Sequence, residues 1–162
     1  MCAAFALALL VACSGGDDEK TGTFAVPTTS RPAAAPKDVK TVPPGRLRPP
    51  SAARLFAGTN SAPGQLTWYC KNTTCTEQSP RLPVFVPARS GAFVMFSIGE
   101  TPVEAVADIS TRAGEEAGRV RLSPGTLMVF DHDLGKGRWL VDLVVRWKTS
   151  EARWRFGLSV TS

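Results

Sequence analysis

The stretch from Trp139 to Lys148 constrains this chain more than any other. In an extended strand, residues two apart share a face. Trp139, Val141, Leu143, Val145 and Trp147 therefore fall on one side, and Leu140, Asp142, Val144, Arg146 and Lys148 on the other. A helix would scatter the first set around its axis, whereas a strand gathers it. After a turn at Thr149-Ser150-Glu151 the rule repeats. Trp154, Phe156, Leu158 and Val160 point one way; Arg153, Arg155, Gly157 and Ser159 point the other. Two consecutive strands, each with one apolar face, predict a hairpin lying on a core.

Earlier runs follow the same plan: Gln65–Tyr69, Pro83–Val86, Ala92–Ile98, Val103–Ser110, Arg119–Leu122 and Leu127–His132. Turn-forming clusters separate them, among them Arg89-Ser90-Gly91, Gly99-Glu100-Thr101-Pro102, Ser123-Pro124-Gly125 and Asp133-Leu134-Gly135-Lys136-Gly137. Gly114 and Gly118 bracket Glu115-Glu116, which confines any helix there to a turn. The expected domain, residues 54–162, is all-β: a sandwich of about 7–9 strands.

The N-terminal part is different in kind. Residues 1–12 contain an apolar run, Phe5 to Ala12, far shorter than the roughly 20 residues a spanning helix needs. Its length suits the apolar region of a signal peptide. Leu10-Val11-Ala12-Cys13 resembles the lipobox of bacterial lipoproteins. The resemblance implies that Cys13 receives diacylglycerol on sulfur, that the preceding peptide with Cys2 is removed, and that the new amino-terminus is acylated. Two or more acyl chains hold a protein stably on a membrane, where one does not. No Lys or Arg precedes the apolar run, so the true start is expected upstream of Met1. Residues 13–53 read as a disordered Pro/Ala/Thr-rich linker without apolar periodicity. About 40 such residues reach roughly 35 Å as a coil and roughly 120 Å as polyproline. Arg46, Arg48 and Arg54 make the stretch around its end basic.

The folded part resembles an immunoglobulin-like β-sandwich. Asp133-Leu134-Gly135-Lys136-Gly137-Arg138-Trp139 looks like the turn into the penultimate strand of such domains, with Trp139 where a corner tyrosine is usual. The segment from Trp147 through Ala152-Arg153-Trp154-Arg155-Phe156 is similar to the ends of small lipoproteins of Gram-positive bacteria. Neither resemblance brings an activity.

Cys70 and Cys75 enclose Lys71-Asn72-Thr73-Thr74. In an exported chain this spacing predicts a disulfide at a hairpin tip. The C-x4-C spacing is not that of a redox C-x-x-C site, and no second pair completes a zinc set.

Catalytic residue types are scarce: the chain has one histidine, His132, and one tyrosine, Tyr69. His132 lies between Asp131 and Asp133, but neighbours on a strand point to opposite faces, and no nucleophile elbow, H-E-x-x-H or phosphate loop occurs. Asp131, Asp133 and Gly135 echo the start of a calcium loop that lacks its later ligands. No cofactor is expected. The formal net charge of +5 permits an anionic partner. Arg146, Lys148, Arg153 and Arg155 share the outward face of the C-terminal hairpin and form a candidate anion-binding patch. A solvated face guarding an edge strand has the same composition. The reading is a membrane-anchored, extracytoplasmic, non-enzymatic binding or interaction module, its partner an envelope protein or anionic wall polymer and not a nucleic acid. The alternatives are an envelope hydrolase or accessory factor with an unrecognised site, and a small-ligand or metal-binding lipoprotein.

Overall fold

The computed structural model describes residues 39–162. In chain order the strands are β1 (Lys40–Thr41), β2 (Ala53–Ala57), β3 (Asn60–Pro63), β4 (Gln65–Lys71), β5 (Thr74–Glu77) and β6 (Phe85–Arg89). There follow β7 (Val94–Ile98), β8 (Glu104–Thr111), β9 (Glu116–Leu122), β10 (Leu127–Phe130), β11 (Gly137–Arg146) and β12 (Ser150–Thr161). Cys13 and the signal-peptide run lie outside the described residues.

The predicted hairpin is the axis of the larger sheet. β11 and β12 pair antiparallel from Gly137↔Val160 to Arg146↔Glu151. The two halves of β12 have different neighbours on its other side. Its first half runs antiparallel to β4, and its second half runs parallel to β6. The sheet continues through β11 to β8 and β9, and through β4 to β5 and β1. The smaller sheet has the order β10-β7-β2-β3. The two sheets form an all-β sandwich.

The alternating pattern dictates what lies between them. Val141, Leu143, Val145, Trp154, Phe156 and Leu158 from β11 and β12 are buried against Leu55, Phe96, Met128 and Phe130 of the smaller sheet. Phe96 links the layers, its ring 5.6 Å from Phe130 and 5.2 Å from Phe156. Each such side chain, fully buried, contributes roughly 1.5–3 kcal/mol before entropy is subtracted. Gly64 makes room for this packing: a Cβ there would lie 2.5 Å from the Phe156 ring. Trp139, near the start of β11, ties down the turn that precedes the strand, its Nε1 donating to the Gly135 carbonyl at 3.0 Å.

Among the described residues the strand count of twelve exceeds the expected range because short and polar strands are drawn in by pairing. β3, Asn60–Pro63, carries no apolar pattern, but it is an edge strand where proline is tolerated. The predicted linker boundary also shifts. Within residues 39–53, Lys40 and Thr41 pair with Thr74 and Cys75, and Leu47 packs on the core.

Candidate functional site

Four chain segments are pinned together at one end of the sandwich. β12 begins where β4 ends, with Ser150 opposite Lys71. The turn before β12 is tied to the β4–β5 hairpin by the Asn72 amide donating to the Thr149 carbonyl at 2.8 Å. That hairpin is closed by the Cys70–Cys75 disulfide, whose cysteines are direct cross-strand partners. Asn72 takes a positive φ of 53° at its tip, a conformation asparagine tolerates better than most residues. The β7–β8 loop is held by the Trp147 indole Nε1 donating to the Glu100 carbonyl at 3.2 Å, and by the Val103 amide donating to Arg146 at 2.8 Å. The segment before β2 joins through Ser51, whose Oγ accepts from the Gly99 amide at 3.0 Å.

These ties surround an open cleft of about 480 Å³. Tyr69 and Trp147, both buried, contribute aromatic wall. Trp147 is fixed edge-on against Trp154, with centroids 6.2 Å apart. Arg48, Lys71 and Lys148 bring three cations, Glu100 brings the single carboxylate, and Thr101, Thr149 and Ser150 bring hydroxyls. None of the three cations takes part in an ion pair among the described residues.

The basic hairpin face is placed differently from its sequence reading. Arg155 lies opposite Asp142 and donates to both of its oxygens, at 2.8 and 2.7 Å. Arg146 bridges Glu104 and Glu151 at 3.0 and 3.2 Å, and Arg121 joins the same cluster through Glu104. Asp108, beside Asp142 on the neighbouring strand, is bound by Arg119. The hydrogen bond to Asp142 raises the Arg155 pKa, and that to Asp108 does the same for Arg119. The outer face of the larger sheet therefore alternates in sign. Arg153 sits between Val144 and Trp68 in the register, and Lys148 belongs to the cleft instead. The adjacent carboxylates of Asp108 and Asp142 are each occupied by an arginine, which leaves no free acid–base pair there.

His132 is buried, with its ring 5.3 Å from Phe130. Burial pushes its pKa below the ordinary value of 6.5, against the opposing pull of Asp131 and Asp133. Its Nδ1 accepts from the Leu134 amide at 3.4 Å, and its Nε2 is buried without a partner. It is a neutral imidazole facing the core, while Asp131 and Asp133 are exposed. Among the described residues no group of three His, Cys, Asp or Glu side chains is placed to hold a metal ion.

Of the sequence candidates, the cleft gathers Lys148 beside the Cys70–Cys75 hairpin, and leaves Arg146, Arg153 and Arg155 outside its lining. Arg48, Lys71 and Glu100 were not legible as one site. Their common signal is position: Lys71 ends β4, Arg48 and Glu100 lie in connections, and none is in a strand interior. Comparison of the chain with known protein families, curated proteins and solved structures finds no match.

Proposed function

We propose that this chain is an exported, lipid-anchored module that binds an anionic component of the cell envelope and catalyses no reaction. The observation that carries the binding reading is the end cleft, where three cations and one carboxylate meet on an aromatic wall. The chain's histidine is packed in the core and is not part of the cleft lining. The lipobox-like Cys13 supplies the anchoring part of the reading. A domain on a long tether samples the nearby envelope at high effective concentration, so modest affinity suffices.

Two measurements test the two parts separately. Labelling of cells with a radioactive fatty acid is expected to mark the wild type and not Cys13→Ser, with the variant lost from the membrane fraction. An unlabelled wild type would remove the anchor from the reading. Retention of the purified chain on isolated envelopes is expected to drop for the Lys71→Gln/Lys148→Gln double variant and to persist for Arg121→Gln on the larger sheet's outer face. Equal retention of both would remove the cleft.

A further inference from the structure

We infer that the end cleft is a phosphoryl-binding site. This rests on the binding reading above and names its ligand. Three cations against one carboxylate leave a net of two positive charges at the cleft. A carboxylate ligand offsets only one of them. A phosphomonoester carries about −1.5 to −2 at neutral pH and presents three strong acceptor oxygens.

The donors suit that group. Lys71 and Lys148 bring rotatable ammonium donors, and Arg48 brings a planar fork that matches phosphate bidentately. Thr101, Thr149 and Ser150 bring hydroxyls. The amides of Lys148 and Thr149 donate to no backbone carbonyl among the described residues. The buried rings of Tyr69 and Trp147 form one wall of the cleft. The disulfide holds the hairpin that ends in Lys71, and the Asn72–Thr149 hydrogen bond sets this hairpin against the turn that carries Lys148. The backbone that carries two of the cations is thus fixed before any ligand arrives. Glu100 is the one group in the cleft that opposes an anion. It has a sign that can be tested, because a variant that merely unfolds cannot bind more tightly.

The experiment titrates the full chain with inorganic phosphate, and in parallel with acetate at equal ionic strength. The Trp147 indole N–H resonance is the reporter, assigned by its loss in Trp147→Phe. Phosphate is expected to move that resonance and to bind about tenfold more tightly than acetate, given its extra charge. Lys71→Gln and Lys148→Gln are each expected to weaken phosphate about fivefold, and Glu100→Gln to tighten it about threefold. Arg121→Gln should leave it unchanged. Vesicles containing phosphatidic acid, a phosphomonoester lipid, form a second arm. Vesicle binding that inorganic phosphate displaces assigns the site to a lipid headgroup. Phosphate binding without vesicle binding assigns it to a soluble or polymeric phosphate. Equal affinity for phosphate and acetate, or no tightening in Glu100→Gln, overturns the assignment. If envelope retention still depended on Lys71 and Lys148 in that case, the binding module would stand and only its phosphoryl ligand would fall.

Discussion

The Asp142–Arg155 pair decides whether the hairpin face is a structural sheet surface or an open basic patch, and a double-mutant cycle measures it. The two residues are direct cross-strand partners joined by two hydrogen bonds of 2.8 and 2.7 Å. Their side chains are 14% and 27% exposed, between a surface pair and a core pair. At an effective dielectric near 20, two charges about 4 Å apart attract by roughly 4 kcal/mol. Desolvation and the fixing of two side chains offset more than half of that, which leaves a coupling of about 1.5 kcal/mol, above the 0.2–1 kcal/mol of exposed pairs. Asp142→Asn alone leaves a half-buried guanidinium without its carboxylate, and is expected to cost about 2 kcal/mol. Arg155→Gln should cost a similar amount, and the double variant much less than the sum. Urea unfolding of the four proteins at constant m-value gives the coupling. A coupling below about 0.5 kcal/mol would refute the reasoning, since that is the behaviour of a solvent-screened pair. Arg155 would then be available to an anionic ligand.

Three further outcomes are expected. His132 has a folded-state pKa below its unfolded value of 6.5, so the unfolded chain takes up the proton first as pH falls. Its contribution to stability is present above that value and is lost as pH falls from it toward the folded pKa; His132→Phe should flatten the urea midpoint across this window. Gly64→Ala places a Cβ 2.5 Å from the Phe156 ring, and should cost about 1–3 kcal/mol by thermal unfolding, with partial rescue by Phe156→Leu. Reduction of the Cys70–Cys75 disulfide should lower stability by about 2 kcal/mol for so short a loop, read as a shift of the urea midpoint with reductant.

Local pattern was enough for the architecture. Alternation in β11 and β12 marks their buried faces directly, because a strand's side-chain period is two and a sandwich wets only one face. The Cys70–Cys75 hairpin is equally local, with five residues of separation. In β10, by contrast, Leu127, Met128, Val129 and Phe130 are all apolar, so alternation cannot say which are inside; the structure buries Met128 and Phe130 and exposes Leu127 and Val129. Pairing of β3 depends on the strand beside it, and its own composition does not announce it.

The site was beyond local pattern for the same reason. A basic residue reads the same in sequence whether a carboxylate sits across the sheet or not. Arg155 meets Asp142 only through the β11–β12 register, and Arg146 meets Glu104 through the β11–β8 register. Those pairings turn a row of positive charges into an alternating face. Lys71, Lys148 and Arg48 converge because β12 starts beside the end of β4 and the chain before β2 crosses the same end. Periodicity encodes which side of a strand meets the core; which turns share an end of the sandwich is set by strand order, and only the folded chain fixes that.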